Sequence, residues 1–358
     1  MTKVITLLGT RPEIIRLRRV IDVLDGLCDH LLVHTGQNYD DRLSGLFFRE
    51  LGLREPDEYL GITGNGFGEQ IGDLLGKCEA LFRRENPDAI LILGDTNTGI
   101  AAFVAKRMGI RVCHMEAGNR CFDDRVPEEV NRRVIDHSSD VLMPYTYRSA
   151  ENLVREGIAR QRVYVTGNPI KEVLDYYAPQ IDAADPCAQY DLKAGEFFLV
   201  TTHRAETVDI PERLDALIST LNQVIDTYDK PILASLHPRT ADKMKEQGIE
   251  AGKIHFVPPL GLFDFIKLEK QAFCVLSDSG TVQEECCIFG VPTVTLRQVT
   301  ERPETIECGS NFLADVYAER VLPAVKLVTQ GAYHWTPPAE YLAEDVSSTV
   351  ARIVLGMA

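Results

Sequence analysis

The 358-residue sequence predicts an α/β fold of two Rossmann-like, doubly wound parallel-sheet domains that face a central cleft. Three observations lead there. The chain is long enough for two cores of about 150 to 200 residues each. Short apolar, β-branched runs alternate with helical patterns from end to end, as in parallel sheets covered by helices. Finally, run after run ends in Asp, Glu, His, Arg or Ser, at the carboxyl ends of strands where such folds bind ligands.

In chain order, the first-half strands are read at 4–10 (VITLLGT), 31–36, 89–95 (AILILGD), 112–118 (VCHMEAG), 141–146 and 163–169 (VYVTGNP). Those of the second half are read at 197–203, 232–237, 254–259, 273–280 and 292–298. The stretch 177–196 carries two prolines and little periodicity, which suits a linker or domain edge. The predicted division is a first domain over 1–170, a second over 171–340, and a terminal helix over 341–358 that packs back towards the first.

A net charge of −15 argues against a nucleic-acid or anionic-membrane surface as the main partner. No apolar run reaches the length of about 18 residues that a membrane span needs. The nine cysteines are odd in number and contain no CxxC, so they read as reduced thiols of a cytoplasmic protein, with neither a metal site nor a disulfide framework.

Several strand exits carry candidate chemistry. GTRPE (9–13) opens a helix, and its free amides with Arg11 and Arg16 make an anion site or a simple strand-to-helix turn. SDSGTVQEE (277–285) does the same, with Asp278 or Ser279 as cap, Gly280 admitting a phosphate, and Glu284 and Glu285 placed for ribose hydroxyls; a plain capping box is compatible with both roles. TTHRAE (201–206) and LHPRT (236–240) set His203, Arg204 and His237 where they can neutralise a diphosphate. GNGFGE (64–69) follows no strand and is read as a loop.

Carboxylates end two apolar strands of the first half: Asp95, alone best read as a helix cap, and Glu116. With Glu128 and Glu129 at the start of PEEVNRR they make an acidic cluster, in which mutual repulsion is expected to raise one pKa and leave a base and an acid near neutrality. His114-Met115-Glu116 matches half of a zinc-deaminase signature, but no P-C-x-x-C follows.

Taken in order, GTRPE, HTGQ, GDTNT, HMEAG, PEEVNRR, TGNP, THRAE, SDSGTVQEE and TERPE resemble the non-hydrolysing UDP-N-acetylglucosamine 2-epimerases over nearly the whole chain. That family shares the two-domain architecture of B-type glycosyltransferases. The resemblance implies interconversion of UDP-GlcNAc and UDP-ManNAc by elimination of UDP to a 2-acetamidoglucal and re-addition, with no metal or redox cofactor. It implies Asp95, Glu116 and Glu128 as the proton-moving carboxylates, His203 and Arg11 at the diphosphate, and Ser279 and Gly280 as phosphate contacts. It further implies Glu285 on the ribose, Phe265 beside the uracil, Arg302 on the nucleotide, an allosteric role for Gln37, and a homodimer.

Three departures stand out: Arg16 where the family has lysine, Thr281 where it has a second glycine, and NRCFDDRVPEE after the HxEAG motif. The last resembles members from capsule and O-antigen clusters, some of which epimerise UDP-6-deoxy-L-hexosamines to UDP-N-acetyl-L-fucosamine. A B-type glycosyltransferase, a hydrolysing epimerase and a non-catalytic nucleotide-sugar sensor are the rival readings.

Overall fold

The computed structural model describes residues 1–36, 46–236, 238–330 and 334–357. The described residues form two compact units, Met1–Asp175 with Ala339–Ala358, and Tyr176–Pro338.

In unit one the strands β1 (Lys3–Leu8), β2 (Asp29–His34), β3 (Glu58–Tyr59), β4 (Ala89–Leu93), β5 (Arg111–Met115) and β6 (Val141–Met143) form a parallel sheet in the order β3-β2-β1-β4-β5-β6. β4 reads AILIL and is buried throughout, the pattern of a central strand covered on both faces. The Arg11–Leu27 helix follows β1, and the terminal Val346–Met357 helix packs against it.

Unit two repeats the architecture with β7 (Phe198–Thr202), β8 (Ile232–Leu236), β9 (His255–Val257), β10 (Cys274–Ser277), β11 (Thr293–Thr295) and β12 (Asn311–Leu313), ordered β12-β11-β10-β7-β8-β9. Its sheet is covered twice over. Phe198 and Val200 enter one apolar cluster while Phe197 and Leu199 enter another, as the two-residue side-chain period requires. Each sheet reverses its winding beside its first strand, so the switch points lie at β1/β4 and at β7/β10.

Two expectations are corrected. Residues 163–169 form no strand: Val163 makes one isolated bridge to Leu142, and the chain leaves at Gly167. Gly167 has φ +86° and lies against Ala343 of the returning segment, where a side chain would collide. GNGFGE is only half a loop, because the Phe67–Glu85 helix begins inside it. The edge strands β3 and β12 were not foreseen; two or three residues at a sheet margin are too short to show a period.

Candidate active site

The exits of β1, β4 and β5 gather the first group of side chains. β4 and β5 pair in register at Leu93 and Met115, so Asp95 and Glu116 leave the sheet from adjacent strands. Asp95 does not cap a helix as expected; Thr96 holds that position on the Asn97–Ile100 turn. Instead Asp95 Oδ2 accepts from Arg132 Nε at 2.9 Å and Nη2 at 2.6 Å. Glu116 sits at φ +65°, a backbone state costly for a residue with a Cβ. Its Oε2 accepts from Arg16 Nη1 at 2.5 Å and its Oε1 from Asn119 Nδ2 at 3.1 Å. The expected mutual repulsion of bare carboxylates is therefore corrected: a guanidinium stands against each of these two acids.

Glu128 and Glu129 open the Pro127–Ser138 helix, with Glu128 half-buried and Glu129 fully buried. Glu129 anchors the preceding loop. It accepts from the Cys121 and Phe122 backbone N–H groups, both at 3.0 Å, and from Arg132 Nη1 at 2.6 Å. Burial alone would raise its pKa, but those donors and the Arg132 charge bring it below the ordinary carboxylate value.

Beneath these groups lies a buried network. His114 faces Asp136 Oδ1 through Nδ1 and the Gly94 carbonyl through Nε2, both at 2.9 Å. A carbonyl only accepts, which puts a proton on Nε2. Arg120 meets Asp136 at 2.8 Å and holds Glu156 through Nε and Nη2 at 2.9 and 2.6 Å. Asp136 is pushed up by burial and pulled further down by His114 and Arg120, so it stays below its usual range.

Glu13 is the residue in this group that sequence reasoning missed. It is fully buried; Oε2 accepts from the Gly9 and Thr10 N–H groups at 2.6 and 2.8 Å, and Oε1 from the Thr96 hydroxyl at 2.5 Å, binding the β1 exit to the β4 exit. Burial outweighs those three donors and raises its pKa to about 7. The signal was in T-R-P-E, a threonine followed three residues later by glutamate at a helix start. Arg11 lies 4.4 Å over the Phe47 ring, and Arg16 lies 5.5 Å from the Tyr145 ring centroid as well as against Glu116.

In unit two the exits of β7 and β10 meet at Asp278. Its Oδ2 accepts from the His203 and Arg204 N–H groups, both at 2.9 Å, and its Oδ1 lies 3.1 Å from His203 Nδ1. Burial pushes this carboxyl up, and the charges of His203 and Arg204 together with these hydrogen bonds hold it net below the carboxylate range. Ser279 occupies the N-cap of the Gly280–Phe289 helix without a side-chain capping bond, which corrects the capping-box reading. Arg302 pairs through Nε with Glu284, and its guanidinium lies 3.6 Å from where a Cβ on Gly280 would stand. Thr281 is half-buried and Glu285 is buried on the same helix.

Arg204 Nη2 lies 3.8 Å from Glu301, which also receives Arg297 Nη1 at 2.9 and 3.2 Å. Arg297 and Glu301 went unrecognised in the sequence because their pairing spans one turn of irregular chain after β11. Phe265, expected beside a uracil, is 7% exposed and packs in the apolar cluster with Leu260 and Val282. Gln37 and His237 lie outside the described residues.

The two groups have opposite polarity. In unit one the acids face outward on buried bases: Asp95 is 26% exposed over Arg132 at 4%, and Glu116 10% over Arg16 at 2%. In unit two the bases face outward on buried acids: His203 is 49% exposed over Asp278 at 0%, and Arg204 18% over Glu301 at 2%.

Comparison with known proteins places the chain among nucleotide-sugar epimerases. The family model described as UDP-N-acetylglucosamine 2-epimerase matches residues 25–355. The chain is 39% identical over 351 residues to the UDP-N-acetylglucosamine 2-epimerase of Methanocaldococcus jannaschii, covering 94% of each. It is 33% identical over 329 residues to the UDP-2,3-diacetamido-2,3-dideoxy-D-glucuronate 2-epimerase of Pseudomonas aeruginosa, covering 90% of this chain and 91% of that one. The crystal structure of the M. jannaschii UDP-GlcNAc 2-epimerase with UDP-GlcNAc and UDP superposes with a TM-score of 0.92 at 38% identity, covering 99% of both chains.

Proposed function

Since the chain belongs to the UDP-N-acetylglucosamine 2-epimerase family, we propose that it inverts C2 of UDP-GlcNAc to give UDP-ManNAc, and the reverse. The observation that carries this is the opposite polarity of the two groups. Outward acids on buried arginines suit removal and return of a carbon-bound proton, and outward cations on buried acids suit a departing diphosphate.

A carboxylate among Asp95, Glu116 and Glu128 takes the C2 proton. The C–H electrons form the C1–C2 double bond, the C1–O bond breaks, and UDP leaves as the 2-acetamidoglucal forms. A carboxyl group then delivers a proton to the other face of C2 while a UDP oxygen re-forms the bond to C1. C2–H is weakly acidic, so the base and the stabilised leaving group must act together. His203, Arg204, Arg302 and the amides at Ser279, Gly280 and Thr281 supply the leaving-group charge balance, with Arg11 assisting and Glu285 on the ribose. Held by the Arg16 guanidinium in a left-handed backbone, Glu116 keeps one orientation, as a positioned base requires.

Similarity to the P. aeruginosa enzyme, whose name gives a different sugar, supports a second reading at the level of the hexosamine only. The family resemblance also supports a homodimer in the cytoplasm that supplies surface-polysaccharide synthesis; light scattering reads the first of these. Turnover of UDP-GlcNAc in D2O, followed by NMR, tests the reaction. Deuterium at C2 of a new UDP-sugar is expected. Product without deuterium overturns the proton-transfer route, and no product with UDP-GlcNAc but turnover of the diacetamido uronate sugar would move the assignment to the second reading.

A further inference from the structure

Away from both switch points, the structure brings two thiols together. Cys287 lies buried in the last turn of the Gly280–Phe289 helix, and Cys308 is the half-buried C-cap of the Pro303–Glu307 helix; their Sγ atoms are 3.6 Å apart. The other seven cysteines have different surroundings. Cys28, Cys78, Cys113, Cys187, Cys274 and Cys286 are buried, and burial raises each thiol pKa. Cys121 is half-buried and has no thiol neighbour among the described residues at its sulfur, which lies 3.4 Å from the Glu129 carboxylate and 3.7 Å from Arg132 Nη1, a guanidinium already paired with Glu129.

We propose that Cys308 is a site of oxidative modification that takes a hydroperoxide as co-reactant and closes a disulfide with Cys287. The Cys308 thiolate attacks the hydroperoxide, breaking its O–O bond to leave a sulfenic acid and an alcohol, or water from hydrogen peroxide. Cys287 then attacks that sulfur, gives up its proton, and the sulfenic oxygen departs as water. The two thiols lose two electrons and the hydroperoxide gains them.

Four features support the assignment. The hydrogen bond shared with the Cys287 thiol is the main reason the Cys308 pKa falls, to about 6, with Ser310 adding to it. Cys287 is buried and Cys308 half-buried, so the sulfur that an incoming hydroperoxide can reach is that of Cys308. The sulfurs need to close from 3.6 Å to roughly 2.05 Å. Cys308 also precedes Gly309, at φ +87°, so no regular element is broken by the approach. A reporter is built in: Trp335, the single tryptophan, donates its Nε1–H to the Cys287 carbonyl at 2.9 Å.

The test uses the full chain with substoichiometric hydrogen peroxide, then alkylation and peptide mapping. Cys308 should react at least about tenfold faster than any other cysteine, as its thiolate fraction and exposure predict. The product should be a Cys287–Cys308 disulfide that dithiothreitol reverses, with a matching reversible change in Trp335 fluorescence. Cys287→Ser should stop at a Cys308 sulfenic acid captured by dimedone. First reaction at another cysteine, a full set of free thiols at that dose, or an oxidised Cys308 without linkage to Cys287 would each overturn the proposal. Mapping of the unaltered chain decides the matter if a variant fails to fold. None of these outcomes depends on the epimerase reaction.

Discussion

Both sheets tie their switch points with a fully buried carboxylate, yet the two carboxylates behave oppositely. Glu13 fastens the β1 and β4 exits through the Gly9 and Thr10 amides and the Thr96 hydroxyl, and burial lifts its pKa to about 7. Asp278 fastens the β7 and β10 exits through the His203 and Arg204 amides, and their side-chain charges keep it an anion. The topology dictates that something must satisfy the exposed amides at a reversal point. What the neighbours are decides whether that something also carries charge.

The sharpest way to break this comparison is at the outward acids. Glu116→Gln should lower kcat by about 10³-fold, the scale of a positioned base, while UDP affinity stays within about twofold. A variant with near-normal kcat would return Glu116 to a structural role as the partner of Arg16.

The keystones themselves come next. A folded-state pKa of about 7 against an ordinary 4.5 means Glu13 stabilises the fold fully below pH 4.5 and loses that contribution as pH rises through 7. The span is roughly 3 kcal/mol. Urea unfolding at pH 5 and pH 8 should show that loss in the unaltered chain and a much flatter profile in Glu13→Gln; equal slopes would mean Glu13 is ionised in the fold. Asp278 has the opposite sign: its stabilisation is present above its unfolded pKa and is lost as pH falls through the lower folded value. Asp278→Asn should therefore cost about 2 kcal/mol at neutral pH, the scale of a buried charged hydrogen bond, and should weaken UDP binding by about tenfold through His203. Unchanged UDP affinity would detach His203 from the nucleotide.

How much of this was legible depends on the range of the interaction. The strands, their polar exits and the repeated sheet follow from runs of neighbouring residues, and so did Asp95, Glu116 and His203 as candidates, whereas Arg302 came only from the family resemblance. Partners were another matter. Arg16 and Glu116 are 100 positions apart, Arg132 and Asp95 are 37, and His203 and Asp278 are 75. No local period records such pairs, so Asp95, Glu116, Glu128 and Glu129 read as a cluster of competing charges, whereas the fold sets Arg16 against Glu116 and Arg132 against both Asp95 and Glu129. Glu129, adjacent to Glu128 and chemically identical, differs only by facing inward on its helix, a distinction that 3.6-residue periodicity hints at but tertiary packing decides.

The smallest effect probes how the outward acids are kept in place. His114 touches the turn that carries Asp95, through Gly94, and the helix that carries Glu128, through Asp136, while its own strand carries Glu116. It is thus a positioning residue for all three. Asparagine can reproduce a donor near Nδ1 and glutamine one near Nε2, so the pair of variants separates the two contacts. If the Gly94 carbonyl is the contact that fixes Asp95, His114→Asn should lose about tenfold in kcat at constant KM, a misalignment of roughly 1.4 kcal/mol, and His114→Gln should recover most of it. Equal losses in both variants, tracking a drop in urea midpoint, would show that His114 only fills the core.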